Sequence, residues 1–214
     1  MADPLIEQLT GRDPDGRKAA AGRLGQLQTA EARKALEAAL SDPRADVRIN
    51  AAEALAHHGE AAITALTTCL DDSQVSVQQV AARSLGQIGH ARAVPALLAV
   101  LSSDDDRVVR AAVRALGQIG DPLALPDLID LLPGAGTSLK QQIVEALGAI
   151  GGDIVPPSII PLLDDPAWPV RQSAALALGQ TGAVEARDAL HRVAANDPKR
   201  HVRIAAQSAL EALS

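Results

Sequence analysis

Apolar residues recur along this chain in short stripes that are typical of amphipathic helices. In the stretch 108–119, apolar residues occupy positions 108, 112, 115, 116 and 119. This is the spacing of one face of a helix with 3.6 residues per turn. The pattern predicts a helix that ends at Gly120, because glycine readily adopts the left-handed conformation that closes a helix. Glycines follow equivalent stretches at positions 59, 89, 151 and 182.

The same pattern returns at a steady period. The segment 47–55 has counterparts at 77–85, 108–116, 139–147, 170–178 and 202–210, and a degenerate copy lies at 16–24. The leucines that close these segments follow one another at an almost constant step, and they are Leu24, Leu55, Leu85, Leu116, Leu147, Leu178 and Leu210. Self-similarity at this period is typical of solenoids, in which each unit buries its apolar face against its neighbours.

A second apolar segment follows each glycine stop, and Pro95, Pro126 and Pro157 fall early in it, where a helix tolerates a missing N–H. Each unit is therefore a helix A, a turn and a helix B. We predict an all-α fold, a right-handed superhelical solenoid of seven helical hairpins with about fourteen helices, and one continuous domain over residues 1–214. B helices should line the concave side. The widest interruption, 133–138, is predicted to be a loop in which Thr137 or Ser138 caps the next helix.

Several short motifs recur within the repeats. They are an Asp-Pro turn followed by Val-Arg at 42–48 and 165–171, the pair Ala51-Ala52, and Leu-Gly-Gln-Ile-Gly at 85–89 and 116–120. These motifs resemble the short HEAT-like repeats named after phycobilisome lyases, and the resemblance covers essentially the whole chain. It implies a ladder that joins a turn aspartate to an arginine of helix B. The pair is present as Asp42/Arg48, Asp165/Arg171 and Asp197/Arg203, weakens to Asp72/Gln78, and is lost at Ser103/Val109 and Gly134/Lys140.

The composition excludes several classes of protein. Twenty basic and 26 acidic residues give a net charge of −6, so no global positive field favours nucleic acid or an anionic membrane. Arg83, Arg107, Arg110 and Arg114 form only a local basic patch beside an acidic run at 104–106. No stretch approaches 18 uninterrupted apolar residues, and the first residues lack the features of a secretory signal. The single cysteine, Cys69, cannot form an internal disulfide, so we expect the protein to be located in the reducing cytoplasm.

Candidate catalytic and metal-binding groups are few. The resemblance implies that an iron-dependent hydroxylase would carry His-Glu pairs, and the chain has no His-Glu dipeptide. His57 and His58 are adjacent, so in a helix they point about 100° apart, and we expect both to face solvent at a helix end. Cys69 lies between Leu66 and Leu70 with no basic residue within one helical turn, which predicts a buried, unreactive thiol. We therefore expect no enzymatic activity, no metal and no cofactor.

The B-helix positions that the apolar stripe leaves free are the best candidates for a binding site. Amides and arginines in these rows offer donors and acceptors to a partner, and Trp168 is the one large aromatic anchor. Leu176 and Ile204 fall in the same rows. The candidate protein-binding residues on the concave face are Glu53, Gln79, Arg83, Gln87, Arg110, Arg114, Gln118, Gln141, Gln142, Glu145, Trp168, Gln172 and Gln180.

The resemblance implies a function of the same kind, since members of the family mostly serve as protein-interaction scaffolds. We predict a non-catalytic scaffold that binds another protein or peptide, with an acidic segment favoured by Arg83, Arg110 and Arg114. We expect no nucleic acid or membrane partner, and a monomer or a weak homodimer through the solenoid ends. The alternative is a bilin lyase-like enzyme subunit or a chaperone-like adaptor, because some members of the family assist bilin attachment.

Overall fold

The computed structural model describes residues 3–214 and holds fourteen α-helices in this range. The chain forms two compact units, one up to Ala115 and one from Leu116 to Ser214. The single-domain assignment stays a prediction. The helices of the first unit are α1 (Pro4–Leu9), α2 (Pro14–Leu24), α3 (Ala30–Ala39), α4 (Ala45–Leu55), α5 (Ile63–Thr68), α6 (Val75–Ile88), α7 (Val94–Ala99) and α8 (Asp106–Ile119), whose last four residues belong to the second unit.

The second unit continues the same alternation of A and B helices. Its remaining helices are α9 (Leu125–Leu131), α10 (Thr137–Ile150), α11 (Val155–Ile159), α12 (Trp168–Gln180), α13 (Arg187–Asn196) and α14 (Arg200–Ala212). Odd-numbered helices are A helices and even-numbered helices are B helices. Short 3-10 segments flank several A helices, for example Pro122–Ala124 before α9 and Val184–Ala186 before α13. Residues 3–214 contain no β-strand, and the predicted all-α fold of helical hairpins is confirmed.

Three of the five predicted helix stops are confirmed, because Gly89, Gly120 and Gly151 directly follow α6, α8 and α10. Gly59 lies inside the 3-10 segment Ala56–Ala62, and Gly182 lies two residues after the end of α12. Gly89 ends α6 in the left-handed region, with φ 68° and ψ 26°. Its backbone N–H donates to the carbonyl oxygen of Leu85, as expected for a helix closed by glycine. The other four predicted stops also have positive φ angles.

The predicted cap of α10 is wrong. The helix begins at Thr137 itself, and Gly136 occupies the N-cap position with extended backbone. A capping hydroxyl must stand at the residue just before the first helical turn. The hydroxyls of Thr137 and Ser138 come one and two residues too late, and α10 has no side-chain cap hydrogen bond.

The core consists of small aliphatic side chains that repeat with the helices. Each B helix from α2 to α12 buries its closing leucine completely, at Leu24, Leu55, Leu85, Leu116, Leu147 and Leu178. Pairs of buried alanines lie one turn earlier, such as Ala51-Ala52 in α4 and Ala174-Ala175 in α12. Small side chains let consecutive B helices approach closely, which compensates for the absence of Phe and Tyr from the sequence.

A glycine after the closing leucine makes this approach closer still. A Cβ atom on Gly148 of α10 would lie 2.8 Å from the Cβ atom of Ala177 in α12. Gly179 of α12 faces Ala209 of α14 in the same way, with 2.8 Å between the added Cβ and the Cα atom of Ala209. Atoms at these distances overlap, so the spacing between B helices depends on the missing side chain.

An aspartate–arginine ladder joins consecutive repeats. In the first unit, Arg48 donates from Nε and Nη2 to both carboxylate oxygens of Asp72 in the next repeat, at 2.8 Å each. Its Nη1 donates to the backbone carbonyl oxygen of Asp42 at 2.8 Å. Asp72 also accepts from the backbone N–H of Gln74 at 2.8 Å, which fixes the turn before α6. One buried arginine thus connects its own turn to the next one.

The second unit repeats this arrangement. Arg171 donates from Nε and Nη2 to Asp197 at 2.7 and 3.1 Å, and from Nη1 to the carbonyl oxygen of Asp165 at 2.9 Å. Lys140 stands where other repeats have arginine and makes one contact to Asp165 at 3.2 Å. The aspartate and arginine that form an ion pair therefore belong to neighbouring repeats. Within one repeat, the arginine instead donates to the backbone carbonyl oxygen of the aspartate six residues before it.

The ladder has one further member and one interruption. Arg17, in the degenerate first copy, donates to both carboxylate oxygens of Asp42 at 2.6 and 3.1 Å. Gln78 donates to the carbonyl oxygen of Asp72 at 2.7 Å, and Ser103 stands where the next repeat would supply a carboxylate. The predicted weakening of the ladder in the middle of the chain is confirmed up to Ser103.

The ladder predicts that the protein loses stability in acid. The hydrogen bond from Arg17 lowers the pKa of Asp42, and that from Arg171 lowers the pKa of Asp197. Burial alone would raise the pKa of Asp72, but the bonds from Arg48 and the Gln74 N–H outweigh it and lower the pKa. Because each folded pKa lies below the unfolded value of about 3.9, the stabilisation is present above that pH and is lost as the pH falls through the folded pKa.

Thermal unfolding between pH 6 and pH 2 measures this effect. We expect the melting temperature to fall below about pH 4. The Asp197→Asn variant, which removes one of the titrating groups, should be less stable at neutral pH and show a smaller acid-induced fall. An equal fall in both proteins would contradict a role for this carboxylate.

Candidate protein-binding face

In the first unit, the candidate residues lie on three consecutive B helices. Glu53 lies on α4, three candidates lie on α6 (Gln79, Arg83 and Gln87), and two lie on α8 (Arg110 and Arg114). All of them are exposed or half-buried. The structure therefore places the first six predicted residues on accessible positions, at the spacing of one repeat.

Two of the arginines in this row already have acidic neighbours. The guanidinium of Arg83 forms an ion pair with Glu53, which occupies the same position one repeat earlier. Arg110 lies 3.7 Å from the carboxylate of Asp106, one turn before it on α8. Arg107, at the start of that helix, is held by Asp105, and this hydrogen bond lowers the pKa of Asp105 to about 2. Much of the positive charge is therefore offset within the protein itself.

In the second unit, the candidate residues belong to α8, α10 and α12. Gln118 lies near the end of α8, Gln141, Gln142 and Glu145 lie on α10, and Trp168, Gln172 and Gln180 lie on α12. Gln118, Glu145 and Gln180 are exposed, while Gln141 and Gln172 are half-buried. The carbonyl oxygen Oε1 of Gln142 is buried and has no hydrogen-bond partner among residues 3–214.

A groove brings two of these candidates together. It has a volume of about 580 Å³ and runs between α10 and α12. Its lining consists of Glu145, Gly148, Ala149, Ser173, Leu176, Ala177 and Gln180. Leu176 is 42% exposed, so an apolar wall stands between polar ends. Gly148, Ala149 and Ala177 add little side-chain volume to this lining, which leaves room for the depression.

Trp168 is partly covered. It is the first residue of α12 and is 38% exposed. Its ring lies 5.6 Å from that of His201 in α14, measured between centroids, at an interplanar angle of 34°. The indole therefore packs over the turn between two repeats and offers only part of its surface to a partner.

Cys69 is buried, as predicted. Its thiol is 4% exposed and lies 3.7 Å from the carbonyl oxygen of Ala65. Burial, and secondarily the nearby charge of Asp72, raises the pKa of Cys69 to about 11. The thiol is protonated at neutral pH and is a poor nucleophile.

The expectation that both histidines face solvent is wrong for His58. His57 is exposed, but the Nε2 atom of His58 is buried and has no hydrogen-bond partner in the described part of the chain. Burial, together with the charge of Arg33, lowers the pKa of His58. The 3-10 segment Ala56–Ala62 replaces a regular helix end at this point, which turns the second imidazole inward.

The side chains and helices of residues 3–214 also bear on metal binding and membrane insertion. No group of three or more His, Cys, Asp or Glu side chains within this range is arranged to hold a metal ion. None of the described helices combines the length and apolar composition needed to cross a bilayer.

The helical pairs and their ladder agree with a known repeat family. The family model for HEAT repeats matches residues 2–81, 63–147 and 135–211. The chain belongs to the HEAT-repeat family. The predicted resemblance to HEAT-like repeats is thereby confirmed. No curated protein matches the sequence.

Solved HEAT-like structures share the fold along the whole chain. The complex of CpcE and CpcF of phycocyanin lyase from Nostoc sp. PCC7120 is 22% identical and has a TM-score of 0.61, with 100% of this chain and 96% of that chain covered. An engineered protein is 23% identical with a TM-score of 0.62, and 98% of this chain and 67% of that chain are covered. At these identities the likeness shows the fold alone.

Proposed function

We propose that this HEAT-repeat protein is a non-catalytic scaffold that binds a partner protein or peptide on its B-helix face. The observation that carries the proposal is the groove between α10 and α12. The groove lies on the face that the repeat pattern predicts to be concave, and two of its lining residues are sequence-predicted candidates, Glu145 and Gln180. Grooves with an apolar lining are a recurring form of peptide-recognition site.

The groove suits a short apolar side chain flanked by polar backbone. Leu176 and the small residues beside it supply the apolar contact, while the Ser173 hydroxyl and the Gln180 amide supply hydrogen-bonding groups. Aromatic anchors, which dominate many tight interfaces, are missing from this lining. We therefore expect an affinity in the micromolar range and a contact that continues along neighbouring repeats.

The first unit contributes the charge preference of the proposal. Arg83, Arg110 and Arg114 recur along its row, so an acidic segment of the partner would be attracted there. The pairing of Arg83 with Glu53 reduces that attraction and makes this row sensitive to salt. A cytoplasmic location is part of the same proposal and rests on the single cysteine.

Affinity capture from the native host with matched variants tests the proposal. Leu176→Glu places a charge on the apolar wall and should reduce the captured partner at least about tenfold. Thr64 is an exposed residue of helix α5. The control variant Thr64→Glu also introduces a negative charge, but on an A helix, and should leave the amount of captured partner unchanged. Replacement of both Arg110 and Arg114 by glutamate should also weaken the binding of an acidic partner.

Two results would count against the proposal. The first is a partner that Leu176→Glu retains in full while the variant stays folded by circular dichroism. The second is covalent attachment of bilin to a phycobiliprotein subunit on co-expression, because that would make the chain part of a lyase.

A further inference from the structure

A row of exposed apolar side chains runs along one edge of the second unit. Leu123, Ile154 and Val184 are 58%, 49% and 58% exposed. Their positions are one repeat period apart. Leu123 and Val184 lie in the 3-10 segments that precede α9 and α13, and Ile154 is the residue directly before α11. We call these three residues the edge row. All six exposed large apolar side chains of residues 3–214 belong to the second unit.

Side chains at this position of consecutive repeats lie close together. In the first unit, Arg92 stands one repeat before Leu123 and contacts Glu60 of the preceding repeat, with 3.0 Å between Nη1 and Oε1. In the second unit, a Cβ atom on Gly152 would lie 3.5 Å from Cδ1 of Leu125, so the turn before α11 packs against the start of α9. The edge row therefore lies along the turns of consecutive packed repeats, whereas at the corresponding position of the first unit Arg92 is polar and ion-paired.

Acidic side chains flank the strip. Asp153 precedes Ile154, Glu185 follows Val184, and Asp188 lies four residues after Val184, near the start of α13. All three carboxylates are exposed. None of them forms an ion pair within the second unit, where Lys140, Arg171 and Arg192 bind other carboxylates. Arg187, between Glu185 and Asp188 in sequence, donates to the carbonyl oxygen of Leu213. Isolated apolar residues on a surface are ordinary, but three in register with an unpaired acidic border form a patterned surface.

We propose that the edge row is a second interaction surface, and that it binds a basic amphipathic helix of a partner protein. Packed helices lie about 8–10 Å apart, so successive members of the row should be spaced by roughly that distance. An α-helix rises about 10.5 Å over seven residues. A helix laid along the edge can therefore place an apolar residue against each member at positions i, i+7 and i+14, with lysine or arginine beside it to meet the carboxylates.

The acidic border argues against a second copy of this chain as the occupant. In a two-fold symmetric contact the same surface faces itself, so Asp153, Glu185 and Asp188 of the two copies would be brought together. Like charges in an interface oppose association. The inference is independent of the proposed function, because the edge row and the groove between α10 and α12 share no residue.

A synthetic helix tests the proposal with the full-length protein. The probe is a fluorescein-labelled, alanine-based peptide of 22 residues. It has leucine at every seventh position and lysines beside the leucines. Its binding is measured by fluorescence anisotropy. A matched peptide carries glutamate in place of lysine. We expect the lysine peptide to bind at least about tenfold more tightly than the glutamate peptide, and more weakly as salt rises from about 0.05 to 0.3 M.

Two variants locate the binding. Replacement of Leu123, Ile154 and Val184 by serine should weaken the lysine peptide at least about tenfold. Replacement of Ile204 by serine removes exposed apolar surface from a B helix outside the groove and should leave the affinity unchanged. All four side chains are exposed, and circular dichroism and melting temperature confirm that each variant is folded.

The outcomes separate the alternatives. Equal binding of the two peptides, or full binding by the edge-row variant, overturns the proposal. So does light scattering that shows a dimer abolished by the edge-row substitutions, because the occupant would then be a second copy. Loss of the host partner in Leu176→Glu with retained peptide binding would leave the edge row standing, so the failures of the two proposals are distinguishable.

Discussion

Replacement of Arg48 by alanine will lower the free energy of unfolding by about 3–5 kcal/mol, the usual cost of removing one partner of a buried ion pair. The side chains of Arg48 and Asp72 are only 11% and 12% exposed. The variant removes the two guanidinium hydrogen bonds to the Asp72 carboxylate. It also removes the hydrogen bond from Nη1 of Arg48 to the backbone carbonyl oxygen of Asp42. Since Arg48 also joins two repeats, the contact between α4 and α6 should weaken as a whole.

The matched control is Arg92→Ala in the same unit. Arg92 also pairs with a carboxylate of the preceding repeat, but the side chains of Arg92 and Glu60 are 57% and 56% exposed. Exposed pairs contribute about 0–1 kcal/mol. Urea unfolding followed by circular dichroism measures both variants. Similar losses from the two substitutions would show that burial of the ladder is not what stabilises the repeats.

Much of the fold could be predicted from sequence because the same structural pattern occurs in every repeat. The period, the glycine stops and the buried closing leucines each recur, so one weak copy does not obscure the pattern. The ladder is predictable in kind but not in partner. Arg17 escapes the pattern because the aspartate of its Asp-Pro dipeptide, Asp13, precedes it by four residues and not by six, although Arg17 stands one repeat period before Arg48.

Features that depend on a single departure from the repeat could not be predicted. The inward turn of His58 follows from the 3-10 segment around Gly59. The start of α10, earlier than predicted, follows from Gly136 serving as the N-cap. In the candidate site, the sequence placed residues in rows but could not show that Glu53 neutralises Arg83. It also could not show that small residues open a groove beside Leu176.

Replacement of Gly148 by alanine will destabilise the protein by about 1–3 kcal/mol, the usual cost of overpacking a close contact. Alanine is otherwise the better helix former by about 1 kcal/mol, so propensity alone predicts the opposite sign. The added Cβ atom would lie 2.8 Å from Cβ and 3.0 Å from Cα of Ala177. Neither atom can move without shifting α12, and α12 is itself packed on α14.

Gly22→Ala is the control with the opposite expectation. Gly22 also lies inside a B helix, α2, but an added Cβ atom would meet only Oδ1 of Asn50 at 3.7 Å. This substitution should stabilise the protein by about 0.5–1 kcal/mol. Denaturant midpoints of the two variants decide between the explanations, since helix propensity would raise both. A fall for Gly148→Ala beside a rise for Gly22→Ala would show that glycine is needed where consecutive B helices touch, because that contact leaves no room for a methyl group.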